Sequence, residues 1–156
     1  MDLDTKTGTV TGYLMSDHRR LDGLFTACTA SVEAGDLEGA ARLFAGFRAG
    51  LMRHIKIEEG LVFPEFETAT GLGRSDGPTG VMRFEHAEII RLLDSIHDLF
   101  AGDAPSAAEF ERLRGALLAV LHGHNDKEER ILYPMTDRMV PHERLRSLLD
   151  NMRVFK

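Results

Sequence analysis

HIKIEEGLVFPEF (residues 54–66) and HNDKEERILYPMT (residues 124–136) echo each other across seventy residues. Each gives a His, a Glu pair at the fourth and fifth positions after it, then an aromatic residue and Pro. At about 100° per residue, a helix places position i+4 only about 40° from position i and one turn further on. His54 with Glu58, and His124 with Glu128, therefore share one face. Glu59 and Glu129 lie about 140° round from their His. They are expected to point away, as solvent-side or supporting groups, and Glu59→Ala is expected to leave any occupancy of the site unchanged. Pro64 and Pro134 each remove a backbone donor, which predicts a kink or an end to the helix there.

The apolar residues around these stretches recur in steps of three and four, the helical period. The first stripe is Leu14, His18, Leu21, Phe25, Cys28 and Val32, stopped by Gly35. With Asp36 as its cap, the second runs through Leu43, Phe47, Leu51, His54, Glu58 and Leu61. The Gly-rich stretch 71–80 reads as a loop. The third stripe is Met82, His86, Ile89, Leu93, Ile96 and Phe100. AGDAPSA (101–107) interrupts it, and Ser106 with Glu109 suits a capping box. The fourth is Phe110, Leu113, Leu117, Val120, His124, Glu128 and Ile131, and Pro141 opens a short last helix. No alternating strand pattern occurs. The expectation is an all-α single domain over residues 1–156. It would be an antiparallel up-down-up-down four-helix bundle (about 10–138) with a short fifth C-terminal helix (about 141–153).

Composition narrows the function. A length of 156 residues and 43% hydrophobic content support one core. The formal net charge of −6 argues against a nucleic-acid partner. Apolar runs are far shorter than a membrane span, and the acidic, polar start MDLDTKTGTV does not read as a signal peptide. The lone Cys28 excludes an intrachain disulfide and a thiolate cluster, and a reducing cytoplasm fits.

Four His and two Glu occupy stripe positions where a bundle wants Leu: His18, His54, His86 and His124, one per helix, with Glu58 and Glu128. Buried without partners, such groups cost several kcal/mol or neutralise. A hydrogen-bonded polar channel would answer that difficulty, and so would metal. Imidazole with carboxylate suits iron, manganese or zinc. Six protein ligands exceed the four of a zinc site but suit two metals bridged by the two carboxylates. DHRRL (17–21) also resembles EHAEI (85–89), so the chain reads as two helical hairpins related by a pseudo-two-fold. Leu21, Leu51, Ile89, Ile90, Leu121 and Ile131 are expected to keep water from the site.

His18, HIKIEEGLVFP (54–64), EHAEI (85–89) and HNDKEERILYP (124–134) together resemble the hemerythrin-like, or HHE cation-binding, family over residues ~10–138. The resemblance implies a bundle with two iron ions, a non-haem di-iron centre bridged by oxo or hydroxo, with manganese or zinc as substitutes. Its ligands would be His18, His54, Glu58, His86, His124 and Glu128. Oxygen-carrying members have a second His four residues after the third-helix His, where this chain has Ile90. They have Asp five residues after the last-helix His, where it has Glu129. The chain matches the four-His, two-Glu variant, similar to iron-centre repair proteins and to iron- or oxygen-sensing domains. Repair members typically carry an N-terminal cysteine-bearing segment, for which the stretch before residue 10 is too short. The expected function is binding or sensing oxygen, nitric oxide or peroxide in iron homeostasis or oxidative and nitrosative stress, by a monomer or homodimer. Turnover of peroxide or nitric oxide, or iron-centre repair, is the alternative, and it calls on the same ligands.

The remaining polar residues read as ordinary. His97 is expected at the core edge or the surface, His122 and His142 at the surface, and Cys28 as a buried, inert thiol. Met15, Met52, Met82 and Met135 fit core or rim positions. The tail HERLRSLLDNMR (142–153) reads as an amphipathic packing or dimer-contact helix.

Overall fold

The structure, a computed structural model, describes residues 8–75 and 77–156. The acidic start of the chain and Asp76 in the Gly-rich loop lie outside the described residues. The described residues are helical, without strands. They form α1 (Val10–Glu33), α2 (Leu37–Ile57), a π turn (Glu58–Val62) and α3 (Phe63–Thr70). After the loop come α4 (Pro78–Ala101), α5 (Ala107–Lys127), a second π turn (Glu128–Leu132), α6 (Tyr133–Met139) and α7 (His142–Val154). No helix among the described residues is long and apolar enough to cross a membrane.

Local chemistry sets the boundaries. The Thr9 hydroxyl accepts from the Gly12 amide, and Asp36 accepts from Gly39, caps worth about 1 kcal/mol each. Gly35, at φ 81, supplies the left-handed turn between α1 and α2. The Asp137 carboxylate accepts from the Val10 and Thr11 amides at 2.8 and 3.0 Å, tying α6 to the start of α1. Ser106 accepts from Glu109 at 3.2 Å as the capping box requires, but Glu109 gives its own carboxylate to Arg112. Pro141 caps α7 from outside rather than sitting in its first turn.

The two prolines do not end their helices. Each arm passes through a π turn that opens at the Glu of the His-x-x-x-Glu pair, and the Phe63 and Tyr133 amides bond back five residues to the Glu58 and Glu128 carbonyls. Pro64 and Pro134 then fall in the first turn of the continuing helix, where the missing N–H is no loss. A turn closed over i→i+5 takes about one residue more than an α turn, which resets the phase by about 100°. Burial follows the reset. Leu61 is only partly buried and Ile131 is 52% exposed, while Val62 (0%) and Leu132 (1%) take the core places. Ile131 therefore does not shield the site as its spacing predicted.

Two apolar clusters result. One holds Leu21, Phe25, Phe44, Phe47, Leu51, Ile89, Leu93, Phe110, Leu117 and Leu121. The other holds Leu14, Ile57, Val62, Phe63, Phe66, Met82, Leu132 and Tyr133, closed by Leu148, Leu149 and Met152 of α7. Each fully buried large side chain contributes about 1.5–3 kcal/mol. Along α1, α2, α4 and α5 the switch from one cluster to the other comes at the stripe His. The bundle thus carries a polar layer between two apolar ones. Tyr13 and Arg53 hold the end of α7 through the Met152 and Phe155 carbonyls.

Candidate metal centre

The six residues singled out by spacing converge in that layer. His18, His54, His86 and His124 are 1–4% exposed, and Glu58 and Glu128 are fully buried. The imidazoles form two pairs, His18 with His54 (ring centroids 4.6 Å apart) and His86 with His124 (4.7 Å). The carboxylates reach both pairs. Glu58 Oε1 lies 3.6 Å from His54 Nε2 and 3.2 Å from His86 Nε2. Glu128 Oε1 lies 3.4 Å from His18 Nε2, and its Oε2 lies 3.3 Å from His124 Nε2 and 3.9 Å from His86 Nε2. Donor atoms of Glu58, His86, His124 and Glu128 fall within 4.8 Å of one another, as do those of His18, His54 and Glu128.

A second ring of carboxylates sets the direction of every imidazole. His18 Nδ1 faces Glu129 at 2.7 Å, His54 Nδ1 faces Asp17 at 2.8 Å, His86 Nδ1 faces Glu59 at 2.7 Å and His124 Nδ1 faces Glu85 at 3.0 Å. A carboxylate only accepts, so each Nδ1 carries the hydrogen and each Nε2 is the ring nitrogen that faces inward, open to a metal once it is deprotonated. This is the arrangement that orients histidine ligands and raises their basicity. Lys127 holds the other oxygen of Glu85. Glu59 and Glu129 therefore do not point away. Their angle was measured from the His on their own helix, whereas their partners, His86 and His18, stand on other helices. Asp17 and Glu85 were not recognised as part of the site. Their signal was the acidic residue directly before His18 and His86 in the repeat. The revised expectation for Glu59→Ala is a metal affinity about 10–100-fold weaker with helicity unchanged, read by competition with a chelator.

Tyr133 is the residue that helical spacing missed. It lies nine residues after His124, about 180° round an uninterrupted helix. The π turn brings it back, and its buried hydroxyl donates to Glu58 Oε2 at 2.6 Å and contacts Glu128 Oε1 at 2.9 Å. It also lies 3.3 Å from both His18 Nε2 and His54 Nε2. The shared aromatic-Pro doublet was the only sequence trace of it. Phe63, its counterpart in the first arm, instead stacks on His86 (5.8 Å, 8°), and the Arg83 guanidinium lies over the Phe63 ring at 5.3 Å.

Electrostatics follow from burial and this packing. Burial alone would depress the His54 imidazolium, but the Glu58 charge and the Asp17 hydrogen bond outweigh it and push it up to about 10. His86 goes up to about 9 against the same burial, through Glu58 and Glu59. Burial opposes ionisation of Glu58 too, yet His54 and the hydrogen bonds around it hold its carboxyl well below the ordinary range. Burial, then the Glu128 and Glu58 charges, push the Tyr133 phenol well up.

The donor set fits a cation. Glu58 Oε1, His86 Nε2 and Glu128 Oε2 are buried without a hydrogen-bond partner among the described residues. Protonated His86 answers Glu58 Oε1 at 3.2 Å only in part, and a bound cation would satisfy all three atoms at once. Elsewhere the sequence reading holds. His97, His122 and His142 are exposed. Cys28 is buried, its thiol donates to the Ala40 carbonyl at 3.4 Å, and burial pushes it up to about 11.

Comparison with known proteins agrees with the geometry. A family model for the hemerythrin HHE cation binding domain matches residues 9–136. Neither among curated proteins nor among solved structures was a match found.

Proposed function

Because the chain belongs to the hemerythrin HHE cation-binding family, we propose that it holds two iron ions in the polar layer and uses them to bind or sense oxygen, nitric oxide or peroxide. The reading rests most on the three unpartnered inward atoms, Glu58 Oε1, His86 Nε2 and Glu128 Oε2. His18 and His54 would serve one ion, His86 and His124 the other, and Glu58 and Glu128 would be shared, as their contacts with both histidine pairs favour. The framework would be an antiparallel up-down-up-down bundle. In support, α1 and α4 run from the Leu14–Met82 cluster towards the Phe25–Ile89 cluster, and α2 and α5 run the other way.

Iron supplies redox chemistry and coordination positions for a small ligand. The chain does the rest. Asp17, Glu59, Glu85 and Glu129 keep each Nε2 aimed inward, so the geometry is set before the ion arrives. The apolar clusters on either side exclude water. Leu21, Leu51 and Leu121 line a cavity of about 10 Å³ beside His18, no more than the space of one water.

Metal analysis with an optical spectrum tests this. Protein reconstituted anaerobically with ferrous iron and then exposed to air is expected to hold two irons per chain and to develop visible ligand-to-iron charge-transfer absorption. A folded, colourless chain with one ion or none would overturn the reading.

A further inference from the structure

The two hairpins of the site share their His, Glu pair and Pro, and each places an aromatic ring directly before the Pro. Residue five after the bridging Glu is Phe63 in the first arm and Tyr133 in the second. The π turns set both rings against site histidines, Tyr133 beside His18 and Phe63 beside His86. Only one of them carries a donor atom.

We propose that Tyr133 is an additional protein donor to the metal held by His18 and His54, which makes the two metal positions chemically unequal. The inference rests on the two-metal reading above. In an octahedral shell with bonds of about 2.0–2.1 Å, neighbouring donor atoms stand about 3 Å apart, and each vertex has four such neighbours. The Tyr133 hydroxyl has four neighbours in the site, at 2.6, 2.9, 3.3 and 3.3 Å: Glu58 Oε2, Glu128 Oε1, His18 Nε2 and His54 Nε2. These are spacings between donors of one shell. They exceed the bond from a donor to the ion, so the hydroxyl stands at a vertex and leaves the central place free.

The other pair of histidines has no such group. There Phe63 stacks on His86 and offers no donor, and of the site's atoms without a hydrogen-bond partner His86 Nε2 belongs to this pair, Glu58 Oε1 lies nearer His86 than His54, and Glu128 Oε2 lies by His124. The position between His86 and His124 keeps an open vertex, so a small exogenous ligand binds at that ion. The ion between His18 and His54 is closed by the phenol oxygen. When that bond forms, the phenol O–H breaks and the proton leaves to water. No change of oxidation state is required.

The spectrum of the iron-loaded, air-oxidised full chain tests the assignment. Phenolate bound to ferric iron gives a charge-transfer band, and resonance Raman excitation within it enhances tyrosine ring modes. Both are expected in the unmodified protein and should be lost in Tyr133→Phe, which keeps the ring and its iron. The only other tyrosine is Tyr13, whose hydroxyl donates to the Met152 carbonyl at 3.3 Å. Tyr13→Phe should therefore keep the band, and it serves as the readout even if Tyr133→Phe fails to fold. A chain with two irons but no tyrosine modes would overturn this inference alone. So would modes that survive in Tyr133→Phe or vanish in Tyr13→Phe. A chain that takes up no iron would overturn the two-metal reading and this inference with it.

Discussion

Glu58→Gln is expected to abolish retention of both ions and to cost the metal-free protein about 3 kcal/mol. Gln keeps the volume, so packing against the neighbouring clusters is unchanged and the effect isolates the charge. The Glu58 carboxylate touches one histidine of each pair and accepts from Tyr133. Removing its charge leaves the His54 and His86 imidazoliums without the carboxylate that raises them both. The pH dependence has a definite sign. Glu58 is held well below its ordinary value of 4.5. Its contribution is therefore present above that value and lost as pH falls through the lower folded-state value. Urea unfolding in the presence of chelator should show a wide gap between wild type and variant at pH 7, closing at strongly acidic pH. Two ions per chain in Glu58→Gln, counted by metal analysis, would refute the shared-ligand role.

Chelation is the second large effect. An ion present at a thousand times its dissociation constant stabilises the folded state by about 4 kcal/mol, and stripping it removes that amount. The pH course of the loss is set by the histidines. In the metal-free chain His54 and His86 titrate at about 10 and about 9, above the ordinary 6.5. Their stabilisation is fully present below 6.5 and disappears as pH rises through 9 and 10. A metal needs the same Nε2 lone pairs, so it displaces those protons and binds more tightly as pH rises. Thermal unfolding with and without metal should therefore diverge between pH 6 and pH 9.5, the stripped protein falling and the loaded one holding. Parallel curves across that range would contradict the assignment of His54 and His86.

The parts of the site that lie before the π turns were legible in the sequence. His18, His54, Glu58, His86, His124 and Glu128 all sit in uninterrupted α-helical phase, where steps of four report a shared face faithfully. Beyond Glu58 and Glu128 the phase slips by one residue, so Leu61 and Ile131 were expected inside and Tyr133 was overlooked. The prolines marked the place, but a missing amide does not say whether a helix bends, stops or widens. The outer carboxylates were illegible for another reason. Asp17, Glu59, Glu85 and Glu129 each serve a histidine on a different helix, and the geometry of a single helix carries no information about reach across a groove.

The outer carboxylates also determine what valence the layer accommodates. Asp17, Glu58, Glu59, Glu85, Glu128 and Glu129 place six carboxylates around one centre, with Arg20 answering Asp17 and Lys127 answering Glu85. In the metal-free chain, imidazolium charge on His54 and His86 offsets part of that field. Of two ions held there, a trivalent pair would be drawn more strongly by that anionic ring than a divalent pair. Between two apolar blocks that difference would be screened less than it is in water. The surroundings of an iron pair would thus favour its oxidised form, in part through Asp17, Glu59, Glu85 and Glu129, which reach the site only through the histidines.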